Sequence, residues 1–150
     1  MSNERVAVVT GAAQGVGLVT ASTLAERGYR TILTDIQNLD GVVANHDSDI
    51  VMFDVPPPYD GVRGMDEYRK SWQPFFEWIG QGAKFELVEL DVVAGADVAF
   101  AYALLRCGTP EGLNTNPDNR LRITVGLRKV HGHWVVAHEH HSFPMTDTAS

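Results

Sequence analysis

The chain has 150 residues, about one domain's worth, and a chain of that length buries a core without needing disulfides or metals. Its 12 basic against 19 acidic residues give a formal charge of −7, a balance that offers no field for phosphates and excludes nucleic acid as an expected partner. No apolar run approaches the roughly 18 residues of a membrane span, and a lone Cys107 with no signal-peptide pattern at the start leads us to expect a reducing, cytoplasmic setting.

In chain order, Val6–Val9 is a short apolar run of the kind buried on both faces of a sheet, and it leads straight into a glycine-rich turn from Thr10 to Gly17. A helix follows, with Val16, Val19, Thr23 and Leu24 at helical spacing until Gly28, and Thr31–Thr34 reads as a second strand closed by Asp35. Ile50–Phe53 reads as a third strand, after which Pro56–Pro58 forbids regular pairing. A helix is predicted from about Gly64, with Met65, Tyr68, Trp72, Phe75 and Ile79 on its apolar face and Pro74 kinking or ending it. Four long alternating runs complete the chain: Phe85–Val93, Asp97–Cys107, Leu121–Val130 and His133–Ser142. Turn signals at 94–96, 109–119 and 131–132 separate them, and together they predict a highly curved antiparallel sheet.

Thr10, Gly11, Gly15 and Gly17 match the pattern Thr-Gly-x-x-x-Gly-x-Gly, so the first 35 residues resemble the start of a short-chain dehydrogenase/reductase. In that family the glycines let backbone amides approach a pyrophosphate, and an acidic residue in the place of Asp35 bonds the adenosine ribose. The resemblance thus implies nucleotide-binding roles for Gly11, Gly15, Gly17 and Asp35. It does not extend to hydride chemistry, because the family's Tyr-x-x-x-Lys pair has no counterpart: Trp72 stands four residues after Tyr68, and Arg106 four after Tyr102. One β-α-β unit leaves a nicotinamide without a pocket, so no cofactor is expected and NAD is disfavoured; a remnant used for packing is the alternative.

From about His46 to Asp147 the chain resembles the SnoaL-like, ketosteroid-isomerase-related proteins of the nuclear transport factor 2-like superfamily. The landmarks are Asp49–Pro58, Gly64–Trp72, Asp97–Tyr102, Arg122–Val130 and Gly132–Pro144. The resemblance implies an α+β fold, a cone-shaped curved antiparallel sheet packed on helices around an apolar pocket, commonly as a homodimer. Here the dehydrogenase-like segment takes the place of the family's first helices, and the helix over 16–27 either serves as a lid or leaves the cone open. The expected organisation is one composite domain over 1–150, with residues 1–46 dehydrogenase-like and 47–147 the cone.

Strict alternation along the last strand places Trp134, Val136, His138, His140 and Ser142 on one face and Val135, Ala137, Glu139 and His141 on the other. The first face is the pocket candidate, with His138 and His140 as general bases desolvated by Trp134 and Val136, or as a hydrogen-bonded polar seam. Two histidines at that spacing would need Asp54 to complete a metal set, and no metal is expected. Asp54, at the end of its strand before the prolines, either takes a proton α to a carbonyl, as the resemblance to ketosteroid isomerases suggests, or caps the proline turn. The oxyanion-hole tyrosine of those isomerases belongs to the displaced first helix and has no assigned counterpart here. Tyr59, Trp72, Phe76, Tyr102 and Trp134 are the candidate pocket lining for a small apolar or aromatic molecule, although such residues also serve simply as core. Arg106 and Arg128 are expected to be solvated or paired with Glu86 and Glu89. The expected function is small-molecule binding with possible isomerase, cyclase or dehydratase chemistry; the alternative is a non-catalytic binding or dimerisation domain.

Overall fold

The computed structural model describes residues 5–10, 29–34 and 39–145. Strands β1 (Arg5–Thr10) and β2 (Tyr29–Thr34) pair in parallel without a register shift, from Arg5 opposite Tyr29 to Thr10 opposite Thr34. Gly11, Gly15, Gly17, Asp35 and the helix expected over 16–27 lie outside the described residues.

The remaining elements are α1 (Leu39–Val43), β3 (His46–Phe53), β4 (Val62–Arg63), α2 (Met65–Gly80), β5 (Lys84–Ala94), β6 (Val98–Gly108), α3 (Pro110–Thr115), β7 (Leu121–Val130) and β8 (His133–Ser142). They build a six-stranded sheet in the order β4-β3-β8-β7-β6-β5. Every neighbouring pair is antiparallel except β3 and β8, which run in parallel and make the sheet mixed. The four long alternating runs thus form four adjacent strands, as their period demands.

Helix α2 follows from its sequence. Asp66 and Glu67 sit in its first turn, where the helix dipole favours negative charge. Tyr68 on its inner side is fully buried, and Met65, Trp72 and Phe76 pack against the core beside it. Pro74 does not end the helix, which continues to Gly80; Gln81 and Gly82 then close it by donating to the carbonyls of Glu77, Trp78 and Ile79. The short α3 was not expected inside the 109–119 turn. It has a local cause, since Thr109 Oγ1 accepts the Gly112 amide at 3.2 Å and Pro110 occupies the first turn.

Bulges shape the sheet. Between β5 and β6 the register slips at Val88, and between β7 and β8 it slips at Ala137, because Gly126 faces His138 while Leu127 faces Val136. An extra residue in one strand bends the sheet and turns the following side chains to the other face. Ile50, Met52, Leu127, Trp134 and Val136 fill the core between sheet and helices. Arg106 lies 3.6 Å from Glu86, as cross-strand pairing suggests, whereas Arg128 pairs with the buried Asp47 of β3.

Candidate functional site

Two adjoining chambers lie between α2 and the concave face of the sheet. The inner one, about 120 Å³, has aliphatic walls from Leu90, Ile123, Val125 and Leu127 and polar groups from His46, Tyr68, Glu139 and His141. The outer one, about 500 Å³, is walled by the Val55–Pro58 turn, Trp72, Phe75, Trp78 and Phe143, with Asp54, Ser71, Cys107 and His141 as its polar groups. Trp72, Phe85 and His141 belong to both. The inner volume is close to that of a cavity holding one benzene ring, and the outer falls in the range of small-molecule sites.

The Ala137 bulge decides which β8 side chains enter. Val136, Glu139 and His141 line the inner chamber, whereas His138 and His140 turn to the opposite face of the sheet. Strict alternation is therefore corrected: one extra residue after Val136 exchanges the roles of the two sets. On that outer face His138 Nδ1 donates to the Val51 carbonyl at 2.8 Å, and the Phe53 ring packs edge-on to His138 and His140 at 5.2 and 5.9 Å. His140 is exposed. Of the five residues expected to line the pocket, Trp72 does so. Tyr59 is 97% exposed at the proline turn, Tyr102 stands half-exposed on the outer face, Phe76 packs on the core, and Trp134 is buried in the core under the Lys129 ammonium, 4.9 Å from its ring centroid.

Asp54 reaches the outer chamber and has two engagements on one oxygen. Its Oδ1 accepts the Val55 amide at 2.8 Å, which is the expected turn cap, and also faces His141 Nδ1 at 3.0 Å. Among the described residues Oδ2 has no hydrogen-bond partner. His141 Nε2 lies 3.6 Å from Glu139 Oε2. Glu139 in turn accepts the Tyr68 hydroxyl at 3.0 Å on Oε2, and its Oε1 lies 3.2 Å from His46 Nε2. The Tyr68 hydroxyl is 3.1 Å from the same His46 nitrogen, and His46 Nδ1 donates to the Ala44 carbonyl at 3.0 Å. The network thus runs from His46 and Tyr68 through Glu139 and His141 to Asp54.

These contacts set the charges. Burial pushes the Glu139 carboxyl up, but the His141 and His46 imidazoles outweigh it and hold it down to about 2. Burial likewise opposes charge on His141, yet Asp54 and Glu139 on its two nitrogens raise it to about 9. Burial, with the Glu139 charge adding, pushes the Tyr68 phenol far above its ordinary range. Burial with Asp54 nearby pushes the Cys107 thiol up to about 11, so it is no thiolate nucleophile at neutral pH. Among the described residues, no lysine or arginine lines either chamber.

His46, Tyr68, Glu139 and His141 escaped the sequence reading. Tyr68 was visible only as part of an apolar helix face, and Glu139 and His141 were assigned outward by a period that the bulge interrupts. His46 stands at the start of a strand longer than its apolar part, Ile50–Phe53, suggests.

Comparison with known proteins finds relatives of two kinds. Over 38 residues, 25% of this chain, it is 55% identical to the short chain dehydrogenase helC of Aspergillus fumigatus; that match spans only 15% of the dehydrogenase's own length. An NTF2-like protein of unknown function from Pseudomonas putida KT2440 shares 30% identity and a TM-score of 0.64, with 87% of this chain and 84% of that one covered. A protein described as a candidate ketosteroid isomerase from Shewanella frigidimarina NCIMB 400 has the same fold at 16% identity and a TM-score of 0.57, covering 89% of this chain and 99% of that one. The profile of the SnoaL-like domain matches residues 29–146, beginning within the stretch assigned to the dehydrogenase-like part and running through β8. With that match covering most of its length, the chain belongs to the SnoaL-like domain family.

Proposed function

We propose that this SnoaL-like domain binds a small, apolar or aromatic carbonyl compound and moves a proton on it, in chemistry of the isomerase, cyclase or dehydratase type, with Asp54 as the base. The observation that carries the proposal is that Asp54 belongs to the wall of an apolar chamber of about 500 Å³ while its Oδ2 has no hydrogen-bond partner among the described residues. A C–H bond α to the ligand carbonyl breaks, its proton passes to Oδ2, and its electron pair enters the enolate. His141 engages carboxylates with both nitrogens, so it acts on Asp54 rather than on the ligand. Two carboxylates, Asp54 and Glu139, with no lysine or arginine among the described residues of the walls, favour a neutral ligand over an acid. The scheme calls for no cofactor. The test is α-proton exchange of 2-tetralone in D₂O followed by NMR. The wild-type chain should accelerate exchange, and Asp54→Asn should lose about 10²-fold or more of that acceleration. Exchange at the wild-type rate in Asp54→Asn would overturn the role of Asp54.

A second reading, a binding and dimerisation domain, is supported by the outer face of the sheet. Tyr102, Thr124, His140 and Phe53 form one row across four strands, and Phe53, Phe100 and Tyr102 are 39%, 45% and 45% exposed. An apolar face of this kind rarely persists on a monomer, and we propose that a second copy of the chain covers it. An NAD-binding remnant at Gly11, Gly15, Gly17 and Asp35 has the narrowest support, a match over 38 residues; a rise in melting temperature with millimolar NAD would be needed to sustain it. The lone Cys107 supports a proposed cytoplasmic location.

A further inference from the structure

We infer that Glu139 is a positioning residue of this site: a buried carboxylate, clasped by Tyr68 and His46, that keeps both ring nitrogens of His141 protonated and so fixes Asp54 with Oδ2 facing the outer chamber. Two acids flank the one imidazole. Carboxylate oxygens only accept, and His141 meets one on each nitrogen, Asp54 Oδ1 at 3.0 Å and Glu139 Oε2 at 3.6 Å. Asp54 stands at hydrogen-bond distance and Glu139 at ion-pair distance; a neutral imidazole has one N–H and would turn a lone pair toward one of the two carboxylates, whereas the doubly protonated ring presents an N–H to each.

Glu139 is itself fixed from the far side. His46 spends its Nδ1 proton on the Ala44 carbonyl, which orients the ring and leaves Nε2 toward Glu139 Oε1 and the Tyr68 hydroxyl. Tyr68 is wholly buried and donates to Oε2. Two groups, from β3 and α2, therefore hold this β8 carboxylate from one side, and its charge is directed at His141.

Among the described residues, the groups around His141 leave few rivals for this role. Asp54 follows β3, Glu139 lies on β8, His46 on β3 and Tyr68 on α2, while Cys107 on β6 is a protonated thiol. Trp72, Phe85 and the paired Ile123 are apolar. Without the Glu139 charge, Nε2 would face an apolar wall, and burial would favour loss of its proton.

The catalytic meaning of this assignment rests on Asp54 being the base, but its physical content is tested without turnover. The experiment is ¹⁵N NMR of the histidine rings in the full-length chain as pH is varied, in wild type, Glu139→Gln and Glu139→Asp. His138, on the opposite face of the sheet, is the internal reference. His141 should be doubly protonated at pH 7 in wild type. Glu139→Gln should lower its titration midpoint by about one to three pH units with His138 unmoved, and Glu139→Asp, which keeps the charge, should restore most of the difference. An unmoved His141 midpoint in a folded Glu139→Gln chain overturns the inference. So does a neutral His141 at pH 7 in wild type, a result that stands even where a variant does not fold. The ketone-exchange test with Asp54→Asn reports separately on the base, so the two failures are distinguishable.

Discussion

Raising the pH from 6.5 to 9 should destabilise the fold through His141. Its folded pKa is raised from 6.5 to about 9, so the folded state keeps a proton that the unfolded chain has already released. The resulting stabilisation is fully present below pH 6.5 and is lost as pH rises through about 9. A shift of this size, at about 1.4 kcal/mol per pH unit, sets a ceiling of about 3 kcal/mol. Part of that belongs to the Glu139 ion pair, whose carboxyl is lowered from 4.5 to about 2 by the same contact, so the two effects do not add. We therefore expect a loss of about 1–3 kcal/mol, at about 2–4 °C of melting temperature per kcal/mol for a chain of this size. Glu139 acts with the opposite sign, its contribution present above pH 4.5 and lost as pH falls toward about 2. Stability should thus be greatest between the two ordinary pKa values, 4.5 and 6.5. The assay is thermal unfolding by circular dichroism from pH 5.5 to 9, in wild type and in His141→Gln. Stopping at pH 9 avoids Cys107, whose thiol moves from 9.0 to about 11 and would add a loss of the same sign above that range. Parallel pH dependence in the two chains would refute the assignment.

Gly61 has φ +77°, and an added Cβ would meet Met52 O at 2.7 Å and Phe53 Cδ1 at 2.5 Å, so Gly61→Ala should cost about 2 kcal/mol or more, read by chemical denaturation. Arg128→Met leaves the buried Asp47 without its guanidinium; a loss of about 1 kcal/mol is expected because Arg128 is itself half-exposed, and no change in the denaturation midpoint would show the pair to be idle. Phe100→Glu on the outer face should shift a dimer to a monomer in light scattering, and a monomeric wild type would remove the dimer proposal. The neutral 2-naphthol should bind at least about tenfold more tightly than 2-naphthoate in a fluorescence titration, since no lysine or arginine among the described residues lines the chambers to receive a carboxylate.

Much of the architecture was legible in the chain. Period-2 alternation located β5 through β8 to within a residue at each end. The spacing of Met65, Tyr68 and Trp72 located α2, and Asp54 emerged as a candidate from its position between an apolar strand and three prolines. Of the two outcomes expected of Pro74, ending the helix did not occur, because an exposed Pro74 gives up one helical hydrogen bond while the packed face on either side holds the helix together.

The identity of the polar groups inside the cavity was not legible. Alternation assigns faces only while the ladder is regular, and the extra residue at Ala137 exists only in relation to the register of β7. That slip moved His138 and His140 outward and brought Glu139 and His141 inward. Tyr68 and His46 became polar partners only when a helix and the start of a distant strand met over Glu139. The amino-acid sequence by itself determined the periods, the strands, the main helix and the candidacy of Asp54, because those depend on local side-chain pattern. Tertiary structure alone decided which histidine stands beside that aspartate, because a single inserted residue in a paired strand inverts every face beyond it.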